Sequence, residues 1–197
     1  GSILGARAIN SFTRSKLKIN FIDEYHHSAN KSNLNKDLNL IVSKSGNTLE
    51  TIANSSNLSK KSKNILITEN KNNYLLKFAE SLKAEVIHHN NFIGGRYSVL
   101  SEVGMLPAEL MKLSPKKLRR LNNLASNQKF LNLVIENVSM MLNHIEKKNM
   151  NSVILNYDKD SNDLFFWYQQ LVAESLGKKG RGVLPIISSM PKDNHSV

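Results

Sequence analysis

The sequence predicts an α/β protein: a doubly wound parallel sheet flanked by helices, followed by the start of a second lobe of the same kind. Three observations carry this. Short apolar runs alternate with segments of helical periodicity along the chain, as strands and helices do in an α/β sheet. The strand-like runs are short and rich in apolar residues, as expected where helices cover both faces of a parallel sheet. A hydroxyl-rich segment, Ser43–Thr51, follows directly on the apolar run Leu38–Val42. That is the carboxyl end of a strand, where such sheets bind ligands.

Taken in order, Gly1-Ser2-Ile3-Leu4-Gly5 reads as a phosphate loop between strand and helix whose leading strand is missing. Leu17–Ile22, Leu38–Val42, Asn64–Thr68 and Glu85–His88 read as strands. Helices are expected over Thr48–Leu58 and Tyr74–Leu82, the latter because Tyr74, Leu75, Phe78 and Leu82 recur at helical spacing. Beyond Pro115 come a polar helix and a long one over about Asn127–Lys147. Ser152–Tyr157 is then a strand, Asn162–Leu176 a helix and Val183–Ile187 a strand. The Lys-, Arg- and Asn-rich stretch around Pro115 marks the expected boundary. This gives a first lobe over residues 1–112, a connection over 113–127 and the opening part of a second lobe over 128–197. The first lobe is expected to lack its first strand, and the second to be truncated.

Composition narrows the function classes. No apolar run is long enough to cross a membrane and no charged-then-apolar leader opens the chain, so a cytoplasmic protein is expected. The absence of cysteine removes disulfides, a thiol nucleophile and most zinc sites. A net charge of +11 and a pI near 9.8 raise the question of nucleic acid. The lysines, however, are scattered among asparagines. Only Lys60–Lys63 and Lys116–Arg120 form clusters, and neither is interleaved with aromatic residues as a single-strand groove would be. Nucleic acid is therefore not expected as a partner. His26-His27 and His88-His89 lack carboxylates at ligand spacing, and no metal site is expected there.

Four segments carry candidate chemistry. Ser43, Ser45, Thr48 and Thr51 place four hydroxyls at a predicted helix start. Backbone N–H groups are free there and the helix dipole favours an anion, so the loop suits a phosphate monoester. An ordinary N-cap at Asn47 or Thr48 is the simpler alternative, although a cap requires only one such group. Gly94-Gly95-Arg96-Tyr97-Ser98 turns tightly after a strand and aims an arginine at the same sheet edge. That arginine is either a salt-bridge partner or a stabiliser of oxyanion charge. Gln170 and Glu174 share one face of a helix, where Glu174 is either a solvated carboxylate or a base. His195 is either an exposed histidine or an acid–base group.

Together these segments resemble the glucose-6-phosphate isomerase family, the two-lobed branch of the sugar isomerase (SIS) superfamily. Gly1–Gly5, Ser43–Thr51, Gly94–Gly104, Trp167–Gly182 and Asp193–Ser196 occur in the family's order. Gly-Gly-Arg-Tyr-Ser-Val is similar to its first signature, and Trp-Tyr-Gln-Gln-Leu-Val-Ala-Glu-Ser-Leu-Gly to its catalytic helix.

The resemblance implies SIS-type lobes and the interconversion of glucose 6-phosphate and fructose 6-phosphate through a cis-enediol, with no cofactor and no metal. It implies that Ser43, Lys44, Ser45, Thr48 and Thr51 hold the phosphate, and that Gly1, Ser2 and Gln170 contact the sugar. It implies Glu174 as the proton-shuttling base, Arg96 as the enediolate stabiliser and His195 as the ring-opening group, supplied across a homodimer interface. Glu102 departs from the small residue or proline usual in the first signature, and Asn194 and Val197 from apolar residues around the histidine. The family's second signature and late catalytic lysine fall beyond Val197, so residues 1–197 alone are expected to be inactive. An SIS-domain sugar-phosphate-binding protein, either non-catalytic or of different specificity, is the alternative. It would keep the hydroxyl loop but has no need of Glu174 and Arg96.

Overall fold

The computed structural model describes residues 2–13, 15–23, 38–56, 58 and 60–195. The chain forms two compact units, one of residues 1–6 and 17–107, the other of residues 7–16 and 108–197. Helix α1 (Ser2–Ser11) is divided between them, and each unit is described by itself.

In the first unit the elements run β1 (Leu38–Val42), α2 (Leu49–Ser55), β2 (Lys63–Glu69), α3 (Tyr74–Leu82), β3 (Glu85–His89) and α4 (Glu102–Leu110), whose last turn falls in the second unit. The strands form one parallel sheet in the order β1-β2-β3, with Ile41 opposite Leu66 and Ile67 opposite Ile87. β2 is the central strand, and Leu66, Ile67 and Thr68 within it are fully buried. A strand covered on both faces needs this near-continuous apolar sequence. Its polar members are satisfied: Asn64 accepts from the Asn39 amide at 3.0 Å and donates to the Ser62 carbonyl at 3.2 Å.

Ile41 and Leu66 pack against Leu75, Ala79 and Leu82 of α3, with Phe78, Ala84 and Val86 at the margin. The spacing of Leu75, Ala79 and Leu82 aligns them on one helical stripe. Burying each large side chain contributes roughly 1.5–3 kcal/mol. α3 is bounded sharply. The Asn73 side chain caps its start by accepting from the Leu76 N–H, and Lys83 ends it in the left-handed conformation at φ 52°.

The same Asn73 braces the loop after β1. Its amide donates to the Lys71 carbonyl at 2.8 Å and to the Thr68 hydroxyl at 3.3 Å. Gly46 lies against it with φ +65°, and a β-carbon there would sit 2.0 Å from the Asn73 Oδ1. The Leu75 N–H donates to the Gly46 carbonyl and the Tyr74 N–H to the Asn47 side chain, so α3 begins on the loop itself.

In the second unit, α5 (Pro115–Arg119) and α6 (Gln128–Glu146) are capped by Ser114 and Asn127. They precede β4 (Asn151–Asn156), α7 (Asn162–Leu176) and β5 (Leu184–Ser189). β4 and β5 pair in parallel, with Val153 opposite Ile186, and α7 is the crossover between them. The Gln169 amide fastens α7 to β5 by donating to the Pro185 carbonyl at 2.6 Å. At the start of α7, Asp163 takes the Arg7 guanidinium at 3.0 Å and the Ser11 hydroxyl at 2.6 Å. A carboxylate also suits the positive end of that helix. Among the described residues no helix is long and apolar enough to cross a membrane.

Three expectations are corrected. Leu17–Ile22 is not a strand: it joins neither sheet, because alternating apolar residues alone do not supply a partner ladder. Residues 2–5 belong to helix α1 rather than to a loop, and Gly1 lies outside the described residues. The expected helix over Thr48–Leu58 is shorter, at Leu49–Ser55. Helix α4 has no counterpart in the sequence reading, since Gly104 and Pro107 both disfavour a helix interior. Gly104 is required by packing, because a β-carbon there would lie 2.1 Å from the Val99 carbonyl oxygen.

Gly46→Ala is expected to cost roughly 1–3 kcal/mol, because it combines a disfavoured φ with displacement of the Asn73 cap. Chemical denaturation of the full-length protein measures this, and an unchanged midpoint would contradict the Gly46–Asn73 geometry.

Candidate active site

The hydroxyl loop leaves β1 at the carboxyl edge of its sheet. The Ser43 N–H still bonds to the Ile67 carbonyl, and the Lys44 carbonyl accepts from the Glu69 N–H and the Thr68 hydroxyl, so the ladder extends into the loop. Ser43 is buried, and its hydroxyl shares a 2.8 Å hydrogen bond with that of Thr48. Thr48 occupies the N-cap position of α2 but makes no side-chain capping bond. The Ser45 hydroxyl accepts from the Asn47 N–H at 3.3 Å and remains exposed. Thr51 lies in the first turn of α2, half-buried. Plain capping therefore does not account for the hydroxyls: the one at the cap position is turned toward Ser43.

A second loop reaches the same edge from β3. Residues 95–100 form a 3₁₀ turn, tied by the Tyr97 N–H to the Gly94 carbonyl at 2.9 Å and by the Ser98 hydroxyl to the Gly95 carbonyl at 2.6 Å. Arg96, half-buried within this turn, has its guanidinium 4.8 Å from the centre of the Tyr97 ring. A β-carbon on Gly95 would lie 3.0 Å from the Ser2 hydroxyl, so Ser2 abuts the arginine turn. The ammonium of Lys44 donates to the Asn91 carbonyl at 2.7 Å and so joins the two loops. The first unit thus links the hydroxyl loop, through Lys44, to the loop that carries Arg96, and sets Ser2 of helix α1 against the arginine turn.

Gln170, Glu174 and His195 lie in the second unit. Gln170 and Glu174 are one turn apart on α7, with Glu174 exposed. The Gln170 Oε1 is buried and has no hydrogen-bond partner among the described residues. A buried acceptor left unsatisfied costs roughly 1–3 kcal/mol, the kind of cost that a ligand donor relieves. His195 is exposed at the end of a 3₁₀ turn over Lys192–His195. That turn is held by Asp193, whose carboxylate accepts from the Ser189 N–H at 2.7 Å and the Ser188 hydroxyl at 3.3 Å.

Sequence reasoning missed two supporting residues. Asn73 is not singled out by the sequence, because no spacing signal ties it to Gly46. His89 is buried beside Glu102, whereas His88 is exposed on the other side of β3. Gly1, His26, His27, Ser196 and Val197 lie outside the described residues. Among the described residues no group of three or more His, Asp or Glu side chains could hold a metal ion.

Comparison with known proteins bears on what this arrangement belongs to. The family described as phosphoglucose isomerase matches residues 3–183. The chain is 31% identical to glucose-6-phosphate isomerase of Methanocaldococcus jannaschii, with all of the chain aligned to 53% of that protein. It is 34% identical to the probable glucose-6-phosphate isomerase of Methanococcus maripaludis, again over its whole length and 50% of the relative. The chain thus spans about half the length of these curated relatives. Among solved structures, a hypothetical protein from Thermus thermophilus superposes with a TM-score of 0.77 at 26% identity, covering 99% of this chain and 52% of that one. With the family match running through the hydroxyl loop, the arginine turn and the Gln170–Glu174 helix, the chain belongs to the phosphoglucose isomerase family.

Proposed function

We propose that the full-length protein interconverts glucose 6-phosphate and fructose 6-phosphate through a cis-enediol intermediate. The family match over residues 3–183, which includes Arg96 and Glu174, carries this reading. In the open-chain aldose, Glu174 takes the proton from C2. The C2–H pair becomes the C1=C2 double bond, and the carbonyl pair moves onto O1. Arg96 offsets that developing charge, which is the largest electrostatic demand of the step. A proton passes from O2 to O1, Glu174 returns its proton to C1 and the carbonyl re-forms at C2.

The hydroxyls of Ser43, Ser45, Thr48 and Thr51, with Lys44, hold the phosphate and let its binding energy orient the reacting carbons. They add hydrogen-bond donors without adding charge, which suits a phosphate that must also leave. The buried Gln170 oxygen accepts from a sugar hydroxyl, and Gly1 and Ser2 form another wall of the sugar site. We further propose that His195 opens the sugar ring in the site of a partner subunit, so that the working form is a homodimer, and that the reaction takes place in the cytoplasm. Its exposed position on the 3₁₀ turn is compatible with reaching a second copy.

In a coupled dehydrogenase assay without added metal, Glu174→Gln is expected to lower kcat by roughly 10²–10⁴-fold while KM stays within about twofold. Near-normal turnover would sink the mechanism. Arg96→Lys keeps the charge but loses the planar fork, and is expected to lower kcat about tenfold or more. For His195→Ala, conversion of the cyclic sugar is expected to slow by roughly 10²-fold, and that of an open-chain analogue by less than about twofold. Equal slowing of both would remove His195 from ring opening.

A further inference from the structure

We propose that His89 and Glu102 are positioning residues that clasp the two ends of the Arg96 loop and hold the guanidinium where enediolate charge develops. The proposal rests on the isomerase reading above. His89 is the last residue of β3 and Glu102 the first of α4, so between them lies the whole segment that carries Gly94, Gly95 and Arg96. The imidazole is 2% exposed, and a buried ring must satisfy both of its nitrogens. Its Nε2 meets the Ile93 carbonyl oxygen at 3.1 Å. A carbonyl only accepts, so Nε2 carries a hydrogen. Its Nδ1 meets the Glu102 Oε1, and the two share a second hydrogen between them.

Each link bears on the arginine. Ile93 directly precedes the two glycines, whose missing side chains leave the backbone on that side of Arg96 soft. The 3₁₀ turn is stiff within itself, through Tyr97 to Gly94 and Ser98 to Gly95. Its placement on the sheet therefore depends on how its leading end is tethered, and His89 supplies that tether at Ile93. At the trailing end the Ser101 hydroxyl bonds to the Ser98 carbonyl at 2.7 Å, and Glu102 follows at once. The carboxylate thus ties the end of the loop back to the strand from which it began. Glu102 is 29% exposed, so the pair is closed on the strand side and open on the helix side. A salt bridge serving only stability needs no bond to Ile93. Through Ile93, the second nitrogen ties the pair to the segment that carries Arg96.

The test is steady-state kinetics in the full-length protein, with variants made singly and in the Arg96→Ala background. Glu102→Ala is expected to lower kcat roughly tenfold or more while KM for fructose 6-phosphate stays within about threefold, because misplacing a catalytic group by a fraction of an ångström acts on the transition state. Glu102→Gln is expected to restore most of the loss, since its amide N–H can donate to Nδ1 while Nε2–H still serves Ile93. In the Arg96→Ala background, Glu102→Ala is expected to cost less than about twofold further, as residues acting through one another are not additive. Retained kcat in Glu102→Ala overturns the clasp. So does an equal loss with and without Arg96, or a Glu102→Gln variant as impaired as Glu102→Ala. If Arg96→Ala itself turns over normally, the isomerase reading of Arg96 falls and the clasp with it. If Arg96→Ala is crippled and Glu102→Ala is not, only the clasp falls.

Discussion

Parallel pairing of β2 with β1 on one side and β3 on the other is the constraint on which the first unit depends. Parallel strands end together, so the loops leaving β1 and β3 emerge at one edge although more than forty residues of chain separate Val42 from His89. The pairing is held by burial of Leu66, Ile67 and Thr68 in the central strand and by the stripe of α3 that covers Ile41 and Leu66. A slip by one residue would exchange the faces on which these successive side chains lie and break their fit to the covering layers. The hydroxyl loop and the arginine turn would then no longer share the Lys44–Asn91 contact.

The hydroxyl loop is shaped by neighbours rather than by its own sequence. Asn73 caps α3, bonds to Thr68 and leaves room only for glycine at position 46, so one amide coordinates a helix start, a strand end and a loop. Ser43 and Thr48 engage each other, which holds two donors in register without either completing the cap. A cluster held in this way has little conformational freedom left to lose. Lys44 contributes positive charge while its ammonium is also tethered to Asn91. The arginine turn is braced in the same manner, by hydrogen bonds at both ends of a segment that glycine leaves soft.

In the second unit, α7 is fixed at its start by Arg7 and Ser11 on Asp163 and along its length by Gln169 on Pro185. On the same helix the Gln170 oxygen is buried without a partner among the described residues, and Glu174 is exposed one turn further on. A rigid helix is a better platform for an acid–base group than a loop, because its side chains inherit the helix geometry.

Much of the fold was legible in the sequence. Apolar runs located β1, β2 and β3 to within a residue or so, and α3 and α7 fall where periodicity put them. Local chemistry determines these elements, since burial pattern and capping residues lie in the same short window. The hydroxyl loop, the arginine turn and the Glu174 helix were legible for the same reason: each is a contiguous segment with a characteristic residue pattern. Tertiary structure decided the rest. Leu17–Ile22 alternates like a strand but found no ladder, and α4 forms despite Gly104 and Pro107 because Gly104 allows close approach to Val99. The Gly46–Asn73 contact and the pairing of His89 with Glu102 join residues separated in sequence, and no local pattern announces either. The sequence by itself determined which segments become strands, helices and candidate site residues, because those choices depend on neighbours in the chain. Only the folded sheet decided which polar side chains meet, because that depends on which strand ends are brought to the same edge.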